Sequence, residues 1–571
     1  MASLTAKKIN GRTYYYLREC RRVNGKPKIV KQIYLGSADA IAAALGKQPS
    51  ALEPLPRSPV FDFGAVAALL DVARRIELVE TIDRHVAKRG KQGPSVGTYL
   101  MLAAVNRAVA PKSKAKLGEW FAGTSLSRLL PVKKSQLTSQ RFWDNMDRVD
   151  EEAIRKIERD LAKKVTKEFD LDLSCLFYDA TNFFTFIDTF NARPTLAQRG
   201  KSKEGRSSLR ILGLALLVTG GFQVPLFHQL YPGNQPDAPT FRSLIDELVR
   251  RYRILTDEAQ DVTLVFDKGN NAADTIEAVA KSPYHVVGSL VPTRHPELLA
   301  IRRNKLEPLD AEIFPGGVFC HRTKKEVFGR EYTVLVTFNE KLFEAQTKTI
   351  EREVAKRRLK LRKYQRYLER WLRGKGRGKR PTVKQARTAV AKILSGRHMK
   401  DLLRVEVRDD PRADDLPLLT YRFDVTAYRR LQMTLLGKTL LFTDQEDWTD
   451  EQIVTAYRGQ HHVESAFRQM KNVRHVSFRP AFHWTDQKLK VHAFTCVIAL
   501  LLCSLLRKEL DAKGIRLSVD RILDTLGTIR EVHVLLTTGR GRPRTRRTHS
   551  ATDPLALQLM DALDLERHLT T

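Results

Sequence analysis

Four runs between Leu171 and Asn271 constrain this chain more than any other part of it. DLSCLFYDATNFFTF, LRILGLALLVTGG, FQVPLFHQLYPGN and DVTLVFDKGNN each carry a stretch too apolar for a surface strand, and Gly, Pro or Asn closes most of them. Strands of that kind sit in the middle of a sheet with helices covering its faces. Two helical patterns accompany them, DAPTFRSLIDELVRRY, which Asp237 is placed to cap, and AADTIEAVAKS; YHVVGSLV supplies a further strand. The order of three strands, helix, strand, helix, strand predicts a mixed α/β sheet. Asp179 follows one apolar run, with Thr181 and Asn182 behind it, and Asp267 ends another. Both stand where strand geometry can bring them together.

The flanking regions differ in pattern. NGRTYYYLRECRRVNGKPKIVKQIYL, residues 10 to 35, reads as two strands around an Asn24-Gly25 turn, decorated by Arg18, Arg21, Arg22, Lys26, Lys28 and Lys31. We take 1–50 as a small basic β unit. After the Pro-rich LEPLPRSPV linker, 60–168 reads as helical, with 3.6-residue spacing in FGAVAALLDVARRIEL and TYLMLAAVNRAV. The α/β core is expected over 170–296 and again over 446–510, interrupted by an inserted β-rich and helical domain at 297–445. Within that insertion Phe343, Ile350, Val354, Leu361, Tyr364, Leu368 and Trp371 keep one apolar seam along a helix from about Leu342 to Leu372, expected to pair with the helix at VKQARTAVAKIL. Residues 511–571 form a basic C-terminal region containing Arg540-Gly541-Arg542-Pro543-Arg544, a pattern suited to a narrow minor groove or to a plain basic tail.

Charge narrows the choice of partner. With 99 Lys and Arg against 65 Asp and Glu, the chain carries a formal +34, which favours a polyanion and nucleic acid first. Residues 351 to 380 hold 14 Lys or Arg against 3 Glu and end in RGKGRGKR, where Lys375, Arg377, Lys379 and Arg380 suit either a solvated loop or a surface tracking phosphates. The N-terminal stretch has no apolar signal-like core. AFTCVIALLLCSLL is shorter than the ~20 residues a membrane span needs, so it is expected to be a core helix, with no membrane partner. Five cysteines without a C-x-x-C pair fit a reducing, cytoplasmic setting.

DEQIVTAYRGQHHVESAFRQMK, from Asp450 to Lys471, then stands out. On one continuous helix Tyr457, Gln460, Glu464 and Lys471 share a stripe, an acid among donors, while Val463, Ala466, Phe467 and Met470 anchor the other side. Asp179, Asp267 and Glu464 together offer oxygen ligands from two strands and a helix, the donor set of hard divalent cations and of phosphodiester chemistry.

FYDATN, VFDKGN and the spacing Tyr-x2-Arg-x3-Glu-x6-Lys, here Tyr457, Gln460, Glu464 and Lys471, resemble the DDE transposases of bacterial insertion sequences, the IS-four-like group. RPAFHWTDQKLKVHAFTCVIAL resembles that group's tail. The resemblance spans roughly Leu171 to Leu506 and implies an RNase H-like core whose insertion accounts for the 197 positions between Asp267 and Glu464. It implies that Asp179, Asp267 and Glu464 hold two Mg²⁺ or Mn²⁺ ions, and that Tyr457 and Lys471 contact the phosphates at the cut. The activity implied is nicking at the element's ends followed by 3′-hydroxyl attack on target DNA, by a homodimer on double-stranded DNA in the cytoplasm, associated with the nucleoid. Trp371 is the candidate for stacking on a flipped base, or a core tryptophan. One departure is Gln460, which stands at the signature's Arg position; Arg468, four residues after Glu464, is the candidate for the missing charge. Two other readings compete: a different RNase H-like nuclease, and a transposase derivative that binds DNA without cutting.

Overall fold

A computed structural model describes residues 2–23, 26–46, 59–88, 90, 93–188, 190–200, 209–235, 261–267, 273–413, 416–536 and 544–570. The Asn24-Gly25 turn, the expected helix over 237–252 and the Arg540-Gly541-Arg542-Pro543 arm lie outside them. The chain divides into two compact units, Met1–Val60 with Glu531–His549, and Phe61–Arg530 with Ser550–Thr571.

The first unit is built on an antiparallel meander of β1 (Ala2–Ile9), β2 (Arg12–Val23) and β3 (Lys26–Ser37). The sequence reading expected only the last two. Asn10 and Gly11 make the extra turn with φ of 49° and 78°, the left-handed pair that tight hairpins require. A second hairpin pairs Glu531 with His549 through Leu536 with Arg544.

In the second unit, β4 (Val60–Asp62) leads into helices Gly64–Arg75, Leu78–His85, Val96–Val109 and Glu151–Glu168. The central sheet follows with β5 (Cys175–Phe184), β6 (Ile211–Thr219), β7 (Pro225–Pro232), β8 (Thr263–Phe266) and β9 (His285–Ser289). β5, β6 and β7 run antiparallel, whereas β8 lies parallel to β5 and β9 parallel to β8. Every residue of β6 is buried, as continuous apolar runs demand. Its Gly213 lets the Tyr231 ring lie against the backbone, since a Cβ there would come within 2.3 Å of that ring.

The region from 297 to 445 is less separate than its sequence suggests. β10 (Glu307–Pro308), β11 (Val318–Val327), β12 (Arg330–Asn339) and later β15 (Lys438–Thr443) extend the same sheet, giving the order β10-β11-β12-β15-β9-β8-β5-β6-β7. β12 is buried from Tyr332 to Phe338, so it needs neighbours on both edges and cover on both faces. The part with its own core consists of helix Glu340–Leu372, helix Val383–Ile393, and the hairpin of β13 (Leu403–Asp409) and β14 (Pro417–Phe423), packed around Val354, Leu361, Leu368, Val390 and Leu419. Asn339 starts the long helix by accepting from the Leu342 N–H.

Helix Asp486–Ala512 runs 27 residues, so length and composition alone would let it cross a bilayer, contrary to the estimate from its apolar run. Of its most apolar stretch 94% is buried inside the protein, against helices Gly64–Arg75 and Val96–Val109 and strand β7. It is a core helix.

Candidate active site on the central sheet

The strand register builds the site. Tyr178 is level with Phe266, and Val265 with Val287. Continued by one residue past Phe266, the β5–β8 register would set Asp179 beside Asp267, and continued by two past Val265, the β8–β9 register would set Asp267 beside Ser289. Side chains on one rung of a parallel sheet leave the same face, and Asp179 on β5, Asp267 just after β8 and Ser289 at the end of β9 lie toward the same end of the three strands. Thr181, two residues beyond Asp179, belongs to that face as well.

Two helices bring polar groups onto it. From Asp450–Arg458, the Tyr457 hydroxyl donates to Ser289 Oγ at 3.0 Å. From His461–Lys471, Lys471 Nζ donates to Thr181 Oγ1 at 2.9 Å and lies 5.5 Å from the centre of the Phe183 ring. Burial raises the Tyr457 phenol above its ordinary pKa; the charges of Asp267 and Glu464 push the same way, and the Ser289 hydrogen bond opposes them. The phenol therefore remains a protonated donor at neutral pH, within range of the charges of Asp267 and Glu464. Ser289 was invisible to sequence reasoning, because nothing marks it except a register that only folding reveals.

The expected single helix is broken. Between Arg458 and His461 the chain makes a tighter turn, in which the Gln460 N–H reaches the Tyr457 carbonyl at 3.2 Å and the His462 N–H the Gly459 carbonyl at 2.8 Å. Gly459 is required there, since a Cβ would lie 2.4 Å from the Phe177 ring. Tyr457 thus rises from one helix, and Glu464 and Lys471 from the next, joined through Gly459 and Gln460, which both keep right-handed helical dihedrals. Gln460 sits at the break, with its Nε2 buried and, among the described residues, without a hydrogen-bond partner.

Arg468 is exposed and lines a cleft of about 900 Å³ with Gln223, Lys471, Arg507, Arg516 and Asp520. Tyr457 opens instead onto a hollow of about 460 Å³ with Ser289, Gln346, His398 and Lys438. Lys471 is the group that reaches both the Arg468 cleft and the Thr181 face. In the helical body Trp371 is half-buried, and the backbone at Gly376 covers its ring so closely that a Cβ would approach to 2.1 Å. That is the environment of a packed tryptophan. Lys375, Arg377, Lys379 and Arg380 are all exposed in the segment after Leu372.

The donor set of Asp179, Asp267 and Glu464 is carboxylate throughout, the chemistry that hard divalent cations prefer. Asp179 and Asp267 are half-buried, while Glu464 is exposed on its helix. Among the described residues no three His, Cys, Asp or Glu side chains draw close enough to grip one metal ion. Asp179 lies on β5, Asp267 directly after β8 and Glu464 on a separate helix.

No family model matches the chain, and no curated protein matches it in sequence. Among solved structures, it is similar to the piggyBac transposase in a synaptic complex with hairpin DNA, at 11% identity over 81% of this chain and 79% of that one, with a TM-score of 0.32. A second similarity is to the Mos1 transposase in a paired-end complex with a left transposon end, at 14% identity over 35% of this chain and 61% of that one, with a TM-score of 0.14.

Proposed function

We propose that the protein is a DDE transposase with an RNase H-like core, which binds the ends of an insertion sequence, nicks them and joins the freed 3′-hydroxyls to target DNA. The observation that carries this reading is the pairing of Tyr178 with Phe266, directly after which Asp179 and Asp267 follow, together with a helix bearing Glu464 and Lys471. Strand order and direction across β7-β6-β5-β8-β9 support the RNase H-like assignment. Asp179, Asp267 and Glu464 would have to draw closer than they stand in this structure to hold Mg²⁺ or Mn²⁺, which when bound would supply charge neutralisation at a phosphoryl group and lower the pKa of a coordinated water or hydroxyl.

The protein's own side chains orient the DNA. Tyr457 offers a protonated phenol and Lys471 a mobile ammonium, both suited to phosphate oxygens flanking the cut. Gln460 offers a neutral amide whose Nε2 awaits an acceptor, and Arg468 supplies charge from the neighbouring cleft. The exposed cations of 375–380 suit tracking of the duplex backbone, and joining two ends implies a homodimer on DNA.

The test is incubation of the purified protein with duplex carrying the inverted repeats that bracket its gene. Strand nicking that requires Mg²⁺ or Mn²⁺, and that falls about a thousandfold or more in Asp179→Asn, Asp267→Asn and Glu464→Gln with duplex binding kept, is the expected result. Duplex binding without cutting in the parent protein would favour the non-catalytic reading.

A further inference from the structure

We infer that the two loops beyond the end of β5 form a stacking platform for unpaired nucleotides, so that single-stranded DNA next to the scissile position has its own binding surface. This inference rests on the function proposed above. Large aromatic side chains are normally covered, yet Phe186 is 44% exposed, Phe482 58% and Trp484 50%. They belong to one patch. Phe186 and Phe482 lie with ring centres 5.6 Å apart, and Trp484 carries the Arg193 guanidinium at 5.4 Å and the Lys488 ammonium at 5.7 Å from its ring centre.

The loops are held in place. The Phe186 N–H donates to the Ala481 carbonyl at 2.9 Å, and the Asp486 carboxylate accepts from the N–H groups of Thr195 and Leu196 at 2.9 and 3.0 Å. A platform fixed in this way loses little conformational freedom when a base stacks on it. Beneath it Phe183 stacks on Phe478 at 4.3 Å, and Phe183 is the ring approached by Lys471. Asp179, Thr181 and Phe183 alternate along one face of β5, and Phe186 follows three residues later. Phe186 itself lies two residues past the end of β5, the strand that carries Asp179, where it meets the second loop at Ala481.

Open aromatic rings edged by Arg and Lys are the chemistry that binds single strands with little sequence preference, the bases stacking and the cations meeting phosphates. A duplex keeps its bases stacked inside and has no use for exposed rings. Cutting and joining DNA leaves strand ends unpaired, and a platform of this chemistry would hold them.

The experiment compares binding of a fluorescein-labelled oligothymidylate of about twenty nucleotides with binding of a mixed-sequence duplex of equal length, at one fixed salt concentration. The triple variant Phe186→Ala, Phe482→Ala, Trp484→Ala is expected to bind the single strand about tenfold or more weakly, with duplex affinity within about twofold of the parent. Trp484→Phe alone should keep most of the single-strand affinity, because it keeps a stacking face. Equal single-strand affinity in parent and triple variant, or parallel loss on both substrates, would overturn the inference. A parent that binds duplex but not the single strand overturns the platform alone, whereas one that binds neither overturns the proposed function as well.

Discussion

Two of the sheets among the described residues are built on opposite terms. In the central sheet β6 is buried at every position, and the polar groups of the site appear where β5, β8 and β9 run out. In the N-terminal meander Leu4, Ile29, Val30, Ile33 and Tyr34 are all exposed, and β3 is open from Lys26 to Leu35. Burial on both faces fixes register, because a slip of one residue would turn every apolar side chain the wrong way. That fixed register sets Tyr178 level with Phe266, the residues immediately before the two aspartates. The meander needs no such accuracy, and its open surface mixes Tyr14, Tyr16 and Tyr34 with Arg18, whose Nε donates to Gln32 Oε1 at 2.7 Å. The sheet that must hold groups in place is closed, and the sheet that carries exposed cations is open.

Stability measurements can break this comparison. Leu214→Ala, in the middle of β6, should lower unfolding free energy by about 2–5 kcal/mol, since it removes a fully buried side chain and leaves a cavity. Leu4→Ala, at 61% exposure, should change it by less than about 0.5 kcal/mol. Urea midpoints decide. Similar losses for the two variants would mean that the meander is closed in solution and that the contrast is false.

A smaller effect sharpens the meaning of closure. Lys114 lies buried with its Nζ lacking a hydrogen-bond partner and 5.0 Å from the centre of the Phe142 ring. Burial pushes its pKa down from 10.5 to about 7, and the Arg107 charge adds to the effect. Between those two pH values the unfolded chain holds a proton that the folded chain has released, so this residue weakens the fold below pH 7, and the penalty fades as pH rises toward 10.5. Lys114→Met should therefore stabilise the protein at pH 7 by roughly 1–3 kcal/mol, and the gain should shrink by pH 10. Urea midpoints at the two pH values check the sign. A gain that is independent of pH would show that packing rather than charge is responsible.

Much of this architecture was legible. The seam from Phe343 to Trp371 marks the long helix that extends over Glu340–Leu372, and the apolar runs around Asp179 and Asp267 mark β5 and β8. Three features were not, each for a physical reason. β1 was missed although Asn10-Gly11 is the same dipeptide as Asn24-Gly25, because Ala2–Ile9 has a weak alternation of its own. The break at Gly459 was missed because helical periodicity carries across a single tightened turn; only the Phe177 ring on the other side of it demands a glycine. Membership of β11, β12 and β15 in the central sheet depends on pairing across long sequence separations, which local pattern does not encode. In the site, Asp179, Asp267 and Glu464 remain the candidates that the sequence offered, and the pairing of Tyr457 with Ser289 was not legible there.

The central claim is that Asp179 and Asp267, directly after the paired Tyr178 and Phe266 of adjoining strands, act with Glu464 as one cation site. Binding of Mn²⁺ to the protein with duplex DNA present, followed by electron paramagnetic resonance, tests it most directly, since Mn²⁺ reports its own coordination whether or not cutting occurs. The account predicts saturable Mn²⁺ binding in the parent that weakens about tenfold or more in Asp179→Asn and in Asp267→Asn, each of which removes one charged ligand. Undiminished Mn²⁺ affinity in both variants would contradict it.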